Sequence, residues 1–161
     1  MFATGIGYDV HRFLEGRPLI LGGVRIPHAM GLEGHSDADV LCHAIADALL
    51  GAAGEPDIGH YFPNTDESLR GISSIEILRQ VQAVLTKKSV VILNIDATLI
   101  AEMPKIAPHL SAMKAALGGA LSLPPQRIGI KATTNEGMGF LGRGEGIAAM
   151  AVAAVDRSDE F

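Results

Sequence analysis

The sequence predicts an α+β fold with two layers, in which a mixed β-sheet carries helices packed on one face. Two patterns predict it: strand-like segments occur near both ends and in the middle of the chain, and segments with helical apolar periodicity lie between them. A third observation is size. The chain has 161 residues, of which 48% are hydrophobic, so it can bury one real core, and we expect a single domain over residues 1–161.

The first third of the chain is predicted to be β-structure followed by a helix. The segment TGIGYDVHRF alternates like a strand, and RPLILGGVRIP is typical of two short strands joined at its Gly-Gly pair. In GHSDADVLCHAIADALLGAAG, residues 34–54, apolar residues recur at helical spacing. Ser36 followed by Asp39 resembles a capping box, so we expect the helix to begin just after Ser36 and to end at Gly51 or Gly54.

The remaining elements follow from the same criteria. DIGHYFPNTDESLRG is predicted to be a loop, SSIEILRQVQAVLTKK a helix with a Ser cap, and SVVILNIDATLIAE a strand. Pro104 is expected to open a third helix through KIAPHLSAMKAALGGAL, before a strand RIGIKATTN and a Gly-rich loop. GIAAMAVAAV is ambiguous between an Ala-rich helix and a buried strand. We favour a strand, because the segment is short and follows a loop that could reverse the chain.

Composition excludes several classes of protein. The net charge is −5 and no basic run exceeds Lys87-Lys88, which argues against a nucleic-acid partner. The longest apolar run is about half the length of a spanning helix, so we expect no membrane segment. The single Cys42 cannot form an internal disulfide and no export signal is recognisable, so we expect a cytoplasmic protein.

Titratable residues mark a candidate metal site. In a strand, Asp9 and His11 point to the same face while Val10 points to the other. His43 lies on the apolar helix and can supply a third ligand from a facing element, and two His with one Asp and an open fourth position form the ligand set of a catalytic zinc site. Without the Asp9-Val10-His11 triplet, His43 alone would be typical of a hydrogen-bonded core residue.

His35, Asp39 and Asp47 recur with His43 every four residues. Asp39 and Asp47 are candidates to hold the second ring nitrogen of His43, as metal-bound imidazoles usually require. The alternative for both is a solvated helix edge.

Six motifs together resemble the 2-C-methyl-D-erythritol 2,4-cyclodiphosphate synthase family of the non-mevalonate isoprenoid pathway: YDVHRF, LGGVRIP, GHSDADVLCHAIADALLGAAG, DIGHYFPNTD, PKIAPH and KATTNEGMGFLGRGEGIAAMAV. They occur in order from about Gly5 to Val155, which makes the resemblance specific. It implies a lyase that converts 4-diphosphocytidyl-2-C-methyl-D-erythritol 2-phosphate to 2-C-methyl-D-erythritol 2,4-cyclodiphosphate with release of CMP.

The resemblance also implies the site residues. Zn²⁺ would lie on Asp9, His11 and His43, and Mg²⁺ or Mn²⁺ would lie between the substrate phosphates on Glu136. His35 and Thr134 would be catalytic. The implied substrate contacts are Asp9, Val10, His11, His35, Ser36, Asp57, Ile58, Gly59, Phe62, Pro63, Asn64, Thr65, Asp66, Ala101, Glu102, Met103, Pro104, Lys105, Ile106, Ala107, Thr133, Thr134, Asn135, Glu136, Phe140 and Arg143.

Within that set the resemblance separates three regions. Residues 57–66 would line the tetritol, and residues 101–107 would hold the cytosine, with Lys105 on the phosphates. Phe140 and Arg143 would face a central cavity able to contact an isoprenoid diphosphate. The resemblance further implies a homotrimer with active sites between subunits, and the Gly- and Ala-rich, aromatic-poor composition fits close subunit contacts.

Two other functions are compatible with parts of the sequence. A metal-dependent phosphoesterase would use the same Asp and two His to activate water, and it would release inorganic phosphate from simple esters. A non-catalytic nucleotide-binding module would keep AEMPKIA and bind nucleotide regardless of chelators. Neither accounts for all six motifs.

Overall fold

The computed structural model describes residues 1–157, and the last four residues of the predicted domain, 158–161, lie outside the described residues. Its strands are β1 (Phe2–Glu15), β2 (Leu19–Leu21), β3 (Val24–Ile26), β4 (Met30–Leu32), β5 (Val90–Ile100), β6 (Ile128–Thr133) and β7 (Gly146–Arg157). Its helices are α1 (Val40–Ala53), α2 (Ile58–Tyr61), α3 (Ser74–Lys87), α4 (Leu110–Leu121) and α5 (Gly139–Gly142). Short 3₁₀ turns occur at Glu67–Leu69, Ala107–His109 and Pro125–Arg127.

The main sheet has five strands in the order β4-β1-β7-β5-β6. β5 and β6 are parallel, whereas β1 pairs antiparallel with β4 and β7, and β5 pairs antiparallel with β7. β2 and β3 form a separate hairpin across the Gly-Gly pair. The predicted α+β fold with a mixed sheet is therefore confirmed, and the ambiguous segment GIAAMAVAAV lies in β7, the central strand of the sheet.

Helix α1 packs between the sheet and the other helices. All of its residues except Asp47 and Gly51 are buried, because β1 and β7 cover one side of the helix and α3 covers another. A helix that is covered on most sides needs apolar residues all round, which explains the apolar sequence around His43.

Strand β1 and helix α1 approach each other at a distance that only glycine permits. A Cβ atom on Gly7 would lie 1.9 Å from the carbonyl oxygen of Ala44, and one on Gly5 would lie 2.1 Å from that of Ala48. The two glycines thus let the strand that carries Asp9 and His11 lie directly against the helix that carries His43.

The opposite face of the sheet is exposed in the single chain. Its apolar side chains include Phe2, Ile6 and Tyr8 on β1 and Met150 and Val152 on β7. Ile6 is 66% exposed and Val152 is 48% exposed. These exposed apolar side chains form a patch on neighbouring strands, and such a patch is typical of an interaction surface rather than of scattered surface residues.

Two predicted helix starts are wrong. α1 begins at Val40 rather than just after Ser36, because Asp39 is the N-cap and its carboxylate accepts the N–H of Cys42. The helix ends at Gly54, which has a φ of 78°, so the second of the two predicted ends is confirmed. Pro104 does not open α4, which begins six residues later at Leu110, and the cis Met103–Pro104 peptide lies in the preceding loop.

Smaller details of the predicted loops and caps also differ. The predicted loop before α3 contains α2 and a 3₁₀ turn, and the Gly-rich loop contains α5. Ser73 occupies the N-cap position of α3, as expected, but its side chain makes no capping hydrogen bond. Among the helices described in residues 1–157, none has the length and apolar character needed to cross a membrane.

Candidate metal centre and active-site cleft

Three side chains from two elements converge at one point. Asp9 Oδ2 lies 2.9 Å from His11 Nε2 and 3.0 Å from His43 Nδ1. His11 Nε2 and His43 Nδ1 are 3.2 Å apart. Strand alternation places Asp9 and His11 side by side, and the close packing at Gly7 brings His43 to them.

This geometry fits a divalent metal ion. A tetrahedral ion with ligand bonds of about 2.0–2.1 Å separates its ligand atoms by roughly 3.3 Å. The three separations here are within a few tenths of an ångström of that value. One carboxylate oxygen and two imidazole nitrogens form a donor set that suits zinc and leaves a fourth position open.

The second nitrogen of each imidazole is held by the protein. His11 Nδ1 lies 2.6 Å from the carbonyl oxygen of Glu33, which can only accept, so this nitrogen carries the proton. The lone pair of Nε2 is then directed at the cluster. His11 is therefore fixed in the tautomer that a metal ligand requires.

His43 is fixed in the other tautomer, with its proton on Nε2, by serine hydroxyls, one of which is held by an aspartate. Its Nε2 lies 2.9 Å from Ser74 Oγ and 3.2 Å from Ser36 Oγ. The Ser74 hydroxyl donates to a carboxylate oxygen of Asp37, so it accepts the proton of His43 Nε2. Nδ1 is left as the acceptor that faces the cluster.

Electrostatics keeps Asp9 ionised. Burial alone would raise its pKa, but hydrogen bonds and attraction from His11 and His43 in their protonated forms outweigh burial and lower the pKa from 3.8 to about 2. A bound metal ion would supply positive charge in place of those protons. The pKa of His11 is raised in turn, because hydrogen bonding and attraction to Asp9 outweigh the opposing effect of its own burial. A carboxylate that stays charged is available as a metal ligand throughout the physiological range.

The cluster forms one wall of a cleft with a volume of about 210 Å³. Sequence-predicted residues that line it are Asp9, His11, His35, Ser36, His43, Ile58, Gly59, Phe62 and Asn64. The structure therefore brings together the predicted zinc ligands, the predicted catalytic histidine and part of the predicted tetritol wall. Asp57 is the N-cap of α2. The backbone carbonyl of Asp66 accepts a hydrogen bond from His35 Nε2 at 3.0 Å.

The apolar side of this cleft and the side chains that hold His43 are not predicted from the sequence. Leu69, Ile72 and Ile77 complete the wall. In the sequence, apolar residues that line a cleft cannot be distinguished from apolar residues that pack in the core. For the segment that contains Ser74, the sequence predicts only a helix with a Ser cap. Its actual bonds to Asp37 and His43 join segments far apart in sequence, and helix periodicity could not reveal them.

Asp39 does not support His43 as predicted. Its buried carboxylate accepts the N–H groups of Gly22, Gly23 and Cys42, so it fastens the β2–β3 hairpin to the start of α1. Burial raises the pKa of Asp39, against the effect of these N–H donors.

Asp47 also has a different role from the predicted one. Its Oδ1 accepts the N–H of Ile58 at 2.9 Å, which holds the start of α2 against α1. Because Ile58 lines the cleft, Asp47 positions part of the cleft wall rather than the imidazole.

The predicted cytidine and phosphate residues form a second region. Asn135 N–H donates to Glu102 Oε1 at 2.7 Å and Ala101 N–H donates to the Thr133 carbonyl at 2.9 Å, so the start of segment 101–107 is fastened to segment 133–136. Lys105, Thr134 and Glu136 are exposed there.

Glu136 has a positive φ of 52°, a conformation unfavourable for a residue with a side chain. Such backbone strain is concentrated at functional positions in proteins. Thr134 Oγ1 accepts the N–H of Glu136 at 3.2 Å and so supports this turn.

Within one chain the two regions do not meet. Asp9 pairs with Ala149 on β7, which pairs with Leu99 on β5, which pairs with Ala132 on β6. Asp9 and Ala132 thus share one row across the sheet, three strand spacings apart, which corresponds to about 14 Å. Residues 101–107 and 133–136 contribute nothing to the cleft beside Asp9.

Phe140 and Arg143 lie in and after α5. Phe140 shares a shallow pocket with Val10, Arg12 and Glu145, on the far side of β1 from the cleft. Arg143 pairs with Glu145 at 2.8 Å and is exposed.

The fold and the cleft together define an α+β protein with an Asp-His-His group that could hold a metal ion at one end of its sheet. A family model described as the YgbB family matches residues 2–156. The chain belongs to the YgbB family.

Named relatives and solved structures agree with this assignment. The chain is 61% identical, over 94% of its length and 90% of the relative's, to the 2-C-methyl-D-erythritol 2,4-cyclodiphosphate synthase of Akkermansia muciniphila. It superposes with a TM-score of 0.94 and 42% identity on bifunctional IspDF from Campylobacter jejuni, covering 99% of this chain and 43% of that one. The CDP complex of IspF from Plasmodium falciparum matches with a TM-score of 0.85 and 31% identity, covering 98% of this chain and 97% of that one.

Proposed function

We propose that this chain converts 4-diphosphocytidyl-2-C-methyl-D-erythritol 2-phosphate to 2-C-methyl-D-erythritol 2,4-cyclodiphosphate and CMP. An oxygen of the 2-phosphate forms a bond to the β-phosphorus, and the bond from that phosphorus to the bridging oxygen breaks, so CMP leaves with that oxygen. The observation that carries the proposal is the convergence of Asp9, His11 and His43 in a cleft whose rim holds His35 and Ser36. Relatives named as synthases of this product support it.

The reaction mainly requires control of charge and position. The attacking phosphate is already ionised near neutral pH, so no side chain has to activate it. Divalent ions held by Asp9, His11 and His43 and by Glu136 would supply positive charge against the repulsion between the phosphate groups. The cluster geometry and the strained turn at Glu136 support these two assignments.

Side chains of the cleft would place the two reacting groups. His35 and Ser36 lie beside the Asp-His-His group and would contact the phosphates, while residues 57–66 would enclose the tetritol. With the chain of the substrate held bent, the attacking oxygen is kept near the β-phosphorus, and such positioning is a major source of rate.

Residues 101–107 would bind the cytosine through backbone groups, and Lys105 would contact the phosphates. Thr134 would stabilise charge at the β-phosphate. The likeness to a structure solved as a CDP complex supports a cytidine site in this chain. We propose Zn²⁺ for the Asp-His-His group and Mg²⁺ or Mn²⁺ for Glu136, because imidazole suits zinc and a lone carboxylate with phosphate oxygens suits a hard cation.

We further propose a homotrimer in which each active site lies between subunits. Two observations support it: the metal cluster and the cytidine region are about 14 Å apart in one chain, and one face of the sheet exposes an apolar surface. A neighbouring chain that packs on this surface would bring its residues 101–107 and 133–136 to the cleft. We place the enzyme in the cytoplasm.

The test is incubation with the cytidylylated substrate, followed by phosphorus NMR and chromatography. We expect a cyclic diphosphate and an equal amount of CMP, and loss of both after removal of metal. Release of inorganic phosphate instead would identify a phosphoesterase. Nucleotide binding that is unaffected by chelators, with no product, would identify a binding module.

A further inference from the structure

Arg17 makes an unusual pair of hydrogen bonds beside the cleft. It follows the turn at the end of β1, and its guanidinium donates to two backbone carbonyls, from Nη1 to Gly34 at 2.6 Å and from Nη2 to Ser36 at 2.5 Å. The two carbonyls flank His35. Arg17 is partly buried, and none of the ion pairs described within residues 1–157 includes it.

The segment around His35 has no regular secondary structure, so its backbone needs other partners. The Glu33 carbonyl is bound by His11, and the His35 carbonyl accepts the N–H of Gly71 at 2.8 Å. Arg17 binds the carbonyls of Gly34 and Ser36, which alternate with those two along the chain. The carbonyl groups of four consecutive residues, 33–36, are thus each bound by a group from elsewhere in the chain, and Arg17 is the donor to two of them.

We propose that Arg17 is a positioning residue that holds the backbone on both sides of His35, so that the imidazole is presented to the substrate phosphates. The inference rests on the proposed function, in which His35 acts at the phosphates. Arg17 does not line the cleft, although its charge is close enough to His11 to oppose the rise in the pKa of that imidazole.

The shape of the guanidinium is what suits Arg17 to this role. A planar fork with donors at fixed spacing can bind two carbonyls at once and fix the distance between them. A lysine ammonium keeps the charge but is a single flexible point, so it cannot fix both carbonyls in the same way.

Three variants distinguish whether the planar guanidinium of Arg17, its charge or its contribution to the fold accounts for its effect on activity. Arg17→Lys keeps the charge, Arg17→Ala removes both fork and charge, and Arg25→Ala is the matched control, because Arg25 is an exposed arginine of the adjacent hairpin. For each, we would measure kcat and KM with the cytidylylated substrate, zinc per chain and the thermal midpoint.

For both Arg17 variants we expect kcat to fall about 10- to 100-fold, since displacement of a catalytic group by about 1 Å has effects of that size. KM should change by less than about threefold and zinc content should stay unchanged, because the metal ligands and the proposed cytidine residues are intact. Millimolar methylguanidinium should restore part of kcat in Arg17→Ala but leave wild type unaffected. Arg25→Ala should match wild type.

Several results would overturn the inference. Full activity of Arg17→Lys would show that charge, not the fork, matters, and a raised KM at normal kcat would assign Arg17 to substrate binding. A loss of activity that follows zinc loss or the unfolded fraction in both Arg17 variants would indicate a purely structural role. Absence of CMP release by the wild type would instead contradict the proposed function.

Discussion

His43, like His11, has a defined partner at each of its ring nitrogens, but its outer nitrogen is bound by side chains rather than by the backbone. Nδ1 faces Asp9, and Nε2 donates to Ser74, whose hydroxyl is held by Asp37. If His43 binds a metal ion as proposed, Ser74 is the outer partner that orients this ligand. Residues in that position affect metal affinity without touching the metal.

Replacing Ser74 should weaken metal binding. We expect Ser74→Ala to lower zinc affinity about 10- to 100-fold, because His43 Nε2 loses the nearer of its two hydroxyl partners, the one that Asp37 holds as an acceptor. The measurement is competition with a chromogenic chelator. The neighbouring variant Ser73→Ala is the control, since the Ser73 side chain makes no capping bond, and His43→Ala should lose the metal altogether. Equal affinities for the two serine variants would refute the role of Ser74.

Thr134 and Glu136 should affect rate more than binding. If both act where charge accumulates in the transition state, Thr134→Ala and Glu136→Gln should lower kcat by at least about 100-fold while CDP affinity changes little. Lys105→Ala should weaken CDP binding as well, because its contact is already present in the ground state. Turnover and calorimetric CDP binding measure the two effects, and parallel losses in both for Thr134→Ala would contradict its assignment.

At the scale of elements, the site depends on how closely β1 packs against α1. We expect Gly7→Ala to lower the free energy of unfolding by about 3 kcal/mol, because the added methyl group would overlap the Ala44 carbonyl. Gly51→Ala is the control. It adds the same group to an open helix position, where it should stabilise by up to about 1 kcal/mol.

Urea denaturation at one protein concentration measures both changes. Gly7→Ala should also lose zinc, since separating the strand from the helix separates Asp9 and His11 from His43. If Gly7→Ala unfolds at the same urea concentration as wild type, the close contact between β1 and α1 is not a constraint.

The elements show which parts of the structure the sequence could predict. Asp9, His11 and His43 were found because strand and helix periodicities are local and place side chains on known faces. The start of α1 was missed because Asp39 also binds the β2–β3 hairpin, and the pattern around Ser36 contains no trace of that distant contact. The late start of α4 has a similar cause, since Ala101 and Glu102 before it are bonded to the end of β6 and to the residues that follow it.

At the scale of the whole molecule, the proposed trimer makes a prediction about pairs of defective chains. Asp9→Ala removes the metal half of the site and Lys105→Ala removes part of the cytidine half, so each homotrimer should be inactive or nearly so. Subunits mixed after refolding should regain a measurable fraction of wild-type activity, because some interfaces join the two intact halves.

Mass spectrometry of the native assembly would confirm that subunits have exchanged, and CMP release would report activity. A mixture of Asp9→Ala with a second metal-ligand variant, His43→Ala, is the control and should remain inactive. Confirmed exchange without recovered activity would show that each chain builds its site alone.

The central position of β7 has a consequence for how the chain folds. β7 follows every other strand in sequence, yet it lies between β1 and β5 and pairs with both along nearly their whole lengths. Phe2 is thus paired with Asp156, so the sheet cannot close from neighbouring segments alone. Contacts of such long sequence separation slow folding, and until β7 is placed, β1 and β5 each expose an unpaired, apolar edge to other copies of the chain. The rate of folding should therefore be limited by the insertion of β7 between β1 and β5. At high protein concentration, aggregation should be strongest before that step.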